Sequence, residues 1–217
     1  MSAIEAPTLV ASDIRVTRAG TSFTVEGAAV HIPLIGEHFV DPALEKLAAV
    51  VATGTPLTEA IATLELEASV DRWCMQSLSP REGLLVLNDA AEATPRSMSA
   101  ALKTLAELAL DGSRSVAVLG EMTDVGDDWR DEHDRIGRLV VRLNIAKLVV
   151  VGEGARHIHN AAGLEGSWDG ESVLVATPDE AYDLVVEDFR FGDVVLVKSS
   201  AGAQLAQLGD RLGGVAA

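Results

Sequence analysis

The sequence predicts an α/β protein in which an open, mostly parallel sheet of the Rossmann-like kind follows a small α+β segment. From residue 84 onward, short all-apolar runs alternate with segments of helical periodicity, which is the pattern of parallel strands covered on both faces by helices. Residues 14–34 instead alternate apolar with polar side chains, as half-buried antiparallel strands do. Of the 217 residues, 48% are hydrophobic and 23% are charged, so the chain has enough apolar material to bury a core.

The first part of the chain predicts two or three antiparallel strands followed by helices. Tight turns at glycines would join the strands. Residues 41–53 carry apolar side chains on one helical face, with Asp41 as the predicted N-cap and the following proline as the first helical residue. We predict one domain over residues 1–83 and a second over residues 84–217.

The second part predicts alternating strands and helices that are joined by right-handed connections. The apolar runs predict strands at residues 84–87, 115–119, 147–151, 173–176 and 194–197. The segments of helical periodicity lie at residues 96–110, 130–143, 156–162, 177–188 and 204–212.

The residues that follow these strands are the candidate ligand-binding residues, because ligands of open parallel sheets bind beyond the carboxyl ends of the strands. Asp89 ends the first strand of the second part. Pro95 and Ser97 begin the next helix, whose free N–H groups would favour an anion. The alternative is that Thr94 or Ser97 only caps this helix.

Lys198, Ser199 and Ser200 follow the last strand and precede the last helix. A lysine, two hydroxyls and a nearby glycine are typical of a nest for a phosphate or a carboxylate, although a capped turn with a solvated lysine would have the same sequence. Lys198 favours a carboxylate and Asp89 favours an amine, so the predicted ligand is a zwitterion such as an amino acid or a peptide. Alternatively, the two side chains only pair with each other at an exposed position.

Other local patterns predict structural features rather than catalytic or binding sites. The G-E-G at residues 152–154 lacks the third glycine of the dinucleotide fingerprint, so it predicts a plain turn. Asp127, Asp128 and Asp131 favour the start of a helix rather than a metal site. No motif predicts a catalytic triad, and no G-x-x-x-x-G-K-[ST] loop for phosphates occurs in the sequence. We therefore assign neither a metal ligand nor a catalytic residue.

The net charge and the cysteine content limit the kinds of binding partner and the cellular compartment that we expect. The net charge of −16 argues against nucleic acid and anionic membranes, because both repel an acidic surface. Cys74 is the only cysteine, which excludes an intramolecular disulfide and fits a reducing compartment. The first residues lack the basic and apolar pattern of a leader, and the longest apolar runs have the length of strands. These observations predict a cytoplasmic protein.

Several motifs in this order resemble the Mur ligase family of peptidoglycan synthesis, and within it the ligases that add D-alanyl-D-alanine. Residues 89–98 read D-A-A-E-A-T-P-R-S-M where the family has D-A-Y-N-A-N-P-x-S-M, and residues 117–126 read A-V-L-G-E-M-T-D-V-G where it has A-V-L-G-[DE]-M-x-E-L-G. Residues 195–202 read V-L-V-K-S-S-A-G where it has V-L-V-K-G-S-R-G, and residues 34–40 read L-I-G-E-H-F-V where it has L-x-G-x-H-N-V. The resemblance assigns four residues to family-motif positions: His38, Arg72, Glu121 and His133.

The resemblance implies ATP-dependent formation of an amide bond, in which a carboxylate is phosphorylated to an acyl phosphate and an amine then attacks it. A family member has a UDP-substrate domain, a central ATPase domain and a C-terminal domain. This chain resembles the end of the central domain, over residues 1–83, joined to the C-terminal domain, over residues 84–217. It is thus interpreted as a truncated and diverged member whose phosphate-binding loop and magnesium ligands lie outside the sequence.

Several polar positions of the family motifs are replaced. Phe39, Ala91, Glu92, Thr94, Ser199 and Ala201 stand where the family has Asn, Tyr, Asn, Asn, Gly and Arg. With these replacements, the resemblance predicts a protein that is inactive alone and acts through a second copy of itself, a partner protein or an amino-acid-like small molecule. It would use ATP and magnesium only if a partner supplies the ATPase half. The alternatives are one half of a split amide ligase and a fragment of a longer one.

Overall fold

The computed structural model describes residues 7–110, 112–123, 125–166 and 168–215. The chain divides into two compact units, Met1–Val70 and Asp71–Ala217. The boundary therefore lies earlier than the predicted one between residues 83 and 84. The reason is a short strand, β4 (Gln76–Leu78), which pairs antiparallel with the first parallel strand of the second unit and so joins that unit. This strand is too short to show an alternating pattern, and the sequence does not predict it.

The first unit is a three-stranded antiparallel sheet with two helices. Strand β2 (Gly20–Val25) lies between β1 (Ala11–Thr17) and β3 (Ala28–Ile32), which confirms the predicted strands. The helices are α1 (Val40–Val51) and α2 (Leu57–Glu67). One face of the sheet buries its apolar side chains against both helices, namely Phe23, Val25, Val30 and Ile32.

Helix α1 begins earlier than predicted. A 3-10 turn at Glu37–Phe39 leads directly into Val40, and Phe39 occupies the N-cap position without a side-chain hydrogen bond. The assignment of Asp41 as the N-cap is therefore wrong. Asp41 lies in the first helical turn, where its charge is favourable at the positive end of the helix dipole.

The second unit is a six-stranded sheet with helices on both faces. In the order in which they pair, the strands are β4, β5 (Leu85–Asp89), β9 (Val194–Lys198), β6 (Ser115–Leu119), β7 (Lys147–Val151) and β8 (Glu171–Val175). All neighbours from β5 to β8 pair in parallel, so the prediction of an open, mostly parallel sheet is confirmed. Helices α3 (Pro95–Leu108), α4 (Trp129–Arg142) and α5 (Arg156–Gly163) pack on one face, and α6 (Pro178–Glu187) and α7 (Leu205–Leu212) pack on the other.

The central strands β6, β7 and β9 are buried along their whole length. Helices cover both of their faces, which is why their sequences are nearly unbroken apolar runs rather than alternating ones. None of the helices in the described part of the chain is long and apolar enough to cross a membrane.

The order of the strands creates a crevice beside β9. After β5 the chain crosses over to β6, and β9 returns later to fill the space between them. Helix α3 follows β5 on one face of the sheet, whereas α7 follows β9 on the other. Such a change of direction opens a crevice at the carboxyl ends of the strands, where ligands of parallel sheets bind. We call this end of the sheet the carboxyl edge, formed by residues 89–94, 120–123, 152–155 and 198–204.

Candidate functional site

Lys198 and Asp89 face each other at the carboxyl edge, because the parallel register of β5 and β9 places them side by side. The Lys198 Nζ atom lies 2.6 Å from Oδ2 of Asp89, 3.0 Å from the carbonyl oxygen of Glu92 and 3.4 Å from the carbonyl oxygen of Asp89. These three acceptors match the three N–H donors of an ammonium group. The side chain of Lys198 is only 2% exposed. The alternative that the two side chains pair with each other is therefore the one that the structure shows, but the pair is buried rather than exposed, and Lys198 is not solvated.

The second carboxylate oxygen of Asp89 is also used. It accepts a hydrogen bond of 3.0 Å from the backbone N–H of Met75. The two charges that the sequence offers to a zwitterionic ligand thus neutralise each other in this structure, and a ligand would have to compete with the pair to contact either charge.

Ser200 links three loops of the carboxyl edge through hydrogen bonds. Its hydroxyl donates to the carbonyl oxygen of Ala93 at 3.2 Å and accepts from the backbone N–H of Thr123 at 2.9 Å. Its own N–H donates to the carbonyl oxygen of Glu121 at 3.0 Å. Ser199 is fully buried beside Gly120, and its hydroxyl has no hydrogen-bond partner within the described residues. Both hydroxyls therefore face the interior of the edge.

Pro95 and Ser97 lie in the first turn of α3, where Ser97 forms a capping box with Thr94. The Thr94 hydroxyl accepts from the N–H of Ser97 at 3.1 Å, and the Ser97 hydroxyl accepts from the N–H of Thr94 at 3.0 Å. This reciprocal pair satisfies two N–H groups at the start of the helix. The structure thus matches the capping alternative for Ser97.

Glu121 follows β6 and projects into the carboxyl edge. Within the residues that the structure describes, its carboxylate has neither a hydrogen bond nor an ion pair, and the residue is half-buried. A methyl group built on Gly154 would lie 2.1 Å from Oε2 of Glu121, and one built on Gly202 would lie 3.8 Å from Oε1. The carboxylate therefore lies beside Gly154 and near Gly202, and neither residue places a side chain against it.

His133 holds the backbone beside Glu121. Its Nε2 accepts a hydrogen bond of 3.0 Å from the N–H of Met122, so the ring proton lies on Nδ1, which donates to the carbonyl oxygen of Trp129 at 2.6 Å. The imidazole is 1% exposed. This family-motif histidine therefore links the loop after β6 to the start of α4 and does not face solvent.

Arg72 belongs to a different cluster, which is centred on Asp210 of α7. The guanidinium lies 2.7 Å from Oδ2 of Asp210, and the same carboxylate accepts from Nε1 of Trp73 at 3.0 Å and from Nδ2 of Asn88 at 3.0 Å. The sequence reasoning missed Trp73, Asn88 and Asp210. A signal was present, because Asp210 lies among the apolar residues of an amphipathic helix, where an acidic side chain needs buried partners.

Two further titratable side chains, Cys74 and the family-motif residue His38, lie outside the carboxyl edge. Burial, with the neighbouring Asp89 carboxylate, raises the pKa of the Cys74 thiol, so it stays protonated and is a poor nucleophile. His38 lies in the first unit, exposed on the 3-10 turn before α1, with its ring 4.2 Å from that of Phe39. In the described parts of the chain, no group of three or more His, Cys, Asp or Glu side chains is arranged to hold a metal ion.

The comparison with known families bears directly on this edge. A model of the Mur ligase, glutamate ligase domain matches residues 72–201, a range that includes Asp89, Glu121 and Lys198 and starts one residue after the second unit starts. The chain belongs to the Mur ligase family. This confirms the resemblance on which the motif assignments rest.

Individual relatives of the Mur ligase family agree with this result. UDP-N-acetylmuramoyl-tripeptide–D-alanyl-D-alanine ligase of Mycobacterium leprae is 40% identical over 198 residues, which are 85% of this chain and 38% of that protein. The ligase of the same name from Escherichia coli is 31% identical over 170 residues, or 76% of this chain and 36% of that protein. The crystal structure of MurF from Acinetobacter baumannii matches with a TM-score of 0.81 at 23% identity, covering 95% of this chain and 45% of that chain. The chain thus spans about two fifths of the length of the curated relatives it matches.

Proposed function

We propose that this chain forms the acceptor-binding part of a Mur-type amide ligase and that its 217 residues alone do not phosphorylate a carboxylate. The observation that carries the proposal is the position of the carboxyl edge, which lies at the crossover of the sheet and, up to residue 201, within the range that the Mur ligase model matches. The 40% identity to a relative named as a D-alanyl-D-alanine ligase supports an amino-acid-like acceptor.

The chemistry of such a reaction divides into two steps. ATP first phosphorylates a carboxylate. The acceptor amine then attacks the acyl phosphate, so that a C–N bond forms, phosphate leaves and the amine loses a proton. Catalysis of this kind depends on positioning and on electrostatic stabilisation of the phosphates.

Two features support a role in the second step. The sequence contains no loop for the phosphates of ATP, and the cationic Lys198 of the carboxyl edge is held by Asp89. ATP and magnesium would then be bound by another segment or by a partner chain, while the carboxyl edge holds the acceptor.

A second candidate is one half of a split ligase, which regains activity when an ATPase half is supplied. The 40% identity over 85% of the chain favours this version. The inactive protein is favoured by the loss of polar side chains from the nucleotide and acceptor motifs, as at Ala91 and Thr94. Mixing the chain with the preceding part of the Mycobacterium leprae ligase and measuring phosphate release would separate them. Release that depends on both parts supports the split ligase, and no release supports the inactive protein.

The proposal also includes association with a second copy or a partner protein. Strand β1 is an edge strand of the described first-unit sheet, and most of its side chains are exposed. Val10 is 71% exposed and Ile14 is 36% exposed. Proteins seldom leave such an edge bare. Sedimentation velocity at tens of micromolar should show a species heavier than the monomer, and a monomer with no recovered partner would contradict this part.

Calorimetric titration with magnesium-ATP tests the nucleotide part of the proposal. We expect no binding tighter than about 10 μM, which corresponds to about −7 kcal/mol. A lower dissociation constant would show that the chain binds nucleotide by itself. The Mycobacterium leprae relative at full length is the positive control for the same titration.

NMR titration with D-alanyl-D-alanine tests the acceptor part. We expect a dissociation constant in the millimolar range, about −4 kcal/mol, because this chain would form only part of the site that binds the dipeptide. The resonances that shift should belong to residues of the carboxyl edge. L-alanyl-L-alanine serves as the stereochemical control. If no resonance of the carboxyl edge shifts at saturating dipeptide, the acceptor-binding proposal is wrong.

A further inference from the structure

We propose that the Glu121 carboxylate binds the ammonium group of the acceptor. This inference rests on the proposed function, because it names the residue of the carboxyl edge that recognises the acceptor and the chemical class of the group it recognises.

The first observation is the balance of charge at the carboxyl edge. Asp89 is neutralised by Lys198 at 2.6 Å, and Glu153 is neutralised by Arg156 at 3.2 Å. Glu121 has no such partner within the described residues. Glu92 of the same edge likewise has no ion pair within the described residues, but it is exposed, whereas Glu121 is half-buried. A cation bound at Glu121 would be complementary to a carboxylate that is less screened by water.

The second observation is the rigidity of the backbone that carries Glu121. Four hydrogen bonds hold residues 120–123: the N–H of Gly120 to the carbonyl of Lys198, the N–H of Ser200 to the carbonyl of Glu121, the N–H of Met122 to His133, and the N–H of Thr123 to the Ser200 hydroxyl. A binding side chain works best on such a preorganised segment. The fold therefore holds the backbone of Glu121 in place, while its carboxylate makes no hydrogen bond within the described residues.

The third observation is that two glycines lie beside that charged end. The carboxylate lies between Gly154 and Gly202, and any larger residue at Gly154 would collide with Oε2 in its present position. Because both residues are glycines, neither places a side chain against the two oxygens. A structural carboxylate would instead be covered by a donor from one of these loops.

The donor set decides which cation fits. A hard metal ion needs several oxygen ligands, and no group of three or more potential ligands occurs among the described residues. A phosphate is repelled by the negative charge. A primary ammonium group needs one carboxylate for a charge-assisted hydrogen bond, and an α-amino group is largely protonated at neutral pH. The class of ligand is therefore an amino acid or short peptide with a free amino terminus.

The decisive experiment compares the wild type with Glu121→Gln in NMR titrations with D-alanyl-D-alanine. Loss of a charged hydrogen bond should weaken binding by at least about tenfold in the variant. N-acetyl-D-alanyl-D-alanine, which has no ammonium group, should bind both proteins equally. The melting temperature should stay unchanged, because the carboxylate makes no hydrogen bond within the described fold.

A pair of glycine variants tests the geometry without removing the charge. Gly154→Ala places a methyl group 2.1 Å from Oε2 and must displace the flexible end of Glu121, whereas Gly202→Ala places one 3.8 Å from Oε1, an ordinary contact. We expect several-fold weaker dipeptide binding for Gly154→Ala and a smaller change for Gly202→Ala. Glu153→Gln, which removes a paired carboxylate of the same edge, should leave binding unchanged.

The outcomes separate this inference from the proposed function. If the wild type binds the dipeptide and Glu121→Gln binds it within twofold, the assignment of Glu121 is overturned while the acceptor-binding function stands. If the wild type does not bind the dipeptide, the proposed function fails and the inference fails with it. Equal weakening by Glu121→Gln and Glu153→Gln would reduce the effect to general electrostatics and also overturn the assignment.

Discussion

The two ends of the parallel sheet in the second unit use charge in opposite ways. At the end where the strands begin, which we call the amino edge, Arg114 forms two hydrogen bonds with Asp193, from Nε to Oδ1 at 3.0 Å and from Nη2 to Oδ2 at 2.7 Å. Its Nη1 donates to Oδ2 of Asp188 at 2.7 Å. Lys147 lies 2.9 Å from both Asp188 and Glu171, so each cation of this cluster has two acidic partners.

The carboxyl edge leaves the carboxylates of Glu92 and Glu121 without an ion pair among the described residues. The buried pair of Lys198 and Asp89 holds β9 against β5, and Ser200 and His133 hold the loops. Glu121 remains without a partner among the described residues. The comparison teaches that the two ends of one sheet differ in charge pairing. At the amino edge ion pairs stabilise the fold, whereas at the carboxyl edge carboxylates remain without a partner within the described residues.

The largest effect should come from breaking the amino edge. Arg114→Ala leaves Asp193, whose side chain is 0% exposed, as a buried carboxylate without its cation. Breaking a buried pair in this way costs about 3–5 kcal/mol. Urea unfolding at pH 7 should show this loss in the free energy of unfolding.

The control for this prediction is Arg190→Ala at the same edge. The side chain of Arg190 is 66% exposed and lies 3.1 Å from Asp188, so its loss should cost less than about 1 kcal/mol. Similar losses in the two variants would show that the amino edge does not depend on its buried pair.

The next effect tests the buried pair of the carboxyl edge. Lys198→Met removes the ammonium group and leaves Asp89 with one hydrogen bond, from the N–H of Met75. Because the Asp89 side chain is 15% exposed, we expect a loss of about 2–4 kcal/mol in the free energy of unfolding.

The double variant Lys198→Met with Asp89→Asn removes the uncompensated charge. It should regain part of the stability that Lys198→Met loses, as a double-mutant cycle measures. An unchanged melting temperature for Lys198→Met would instead mean that the pair is exposed in solution, which would restore both side chains as ligand candidates.

The sequence predicted the fold of the second unit well because its signals are local. Unbroken apolar runs and intervening amphipathic segments arise wherever helices cover both faces of a parallel sheet. The sequence did not predict strand β4, because its three residues are extended only through their pairing with β5. For the same reason, the domain boundary that the sequence predicted after residue 83 differs from the one in the structure, which lies after Val70.

The site was harder to predict because its state depends on partners that are distant in the sequence. The end-of-strand rule correctly placed Asp89 and Lys198 together. The sequence could not show that Lys198 is buried, since one of its acceptors is the carbonyl oxygen of Glu92 in a loop. Arg114 and Asp193 are likewise far apart along the chain and carry no motif. Glu121 was found through the resemblance, but only the structure showed that its carboxylate is unpaired.

A moderate effect is expected from pH at the amino edge. The hydrogen bond from Lys147 holds the pKa of the Asp188 carboxyl well below its usual range, and Arg114 and Arg190 add to this against the opposing effect of burial. A carboxyl whose pKa is lowered on folding stabilises the protein fully above its unfolded pKa of about 4, and this stability is lost as the pH falls further. The free energy of unfolding should therefore decrease below about pH 4.

The variant Asp188→Asn isolates this contribution. It should be less stable than the wild type by about 1–2 kcal/mol at pH 7, because charge-assisted hydrogen bonds are replaced by weaker ones. The difference should narrow as the pH is lowered towards 3. Urea unfolding of both proteins at several pH values measures it, and two parallel curves would assign the acid sensitivity to other groups.

The smallest effect is expected from Ser97→Ala, in the first turn of α3 beside the carboxyl edge. The Ser97 hydroxyl accepts from the N–H of Thr94 in the capping box of α3, so its loss should cost about 0.5 kcal/mol of stability. Because that hydroxyl is engaged within the helix start, D-alanyl-D-alanine binding should stay the same as in the wild type. Thr177→Ala, which removes the N-cap side chain of α6, should cost a similar or slightly larger amount. If Ser97→Ala instead weakens dipeptide binding while Thr177→Ala does not, the hydroxyl reaches the ligand, and the carboxyl edge recognises its acceptor through the start of α3 as well as through Glu121.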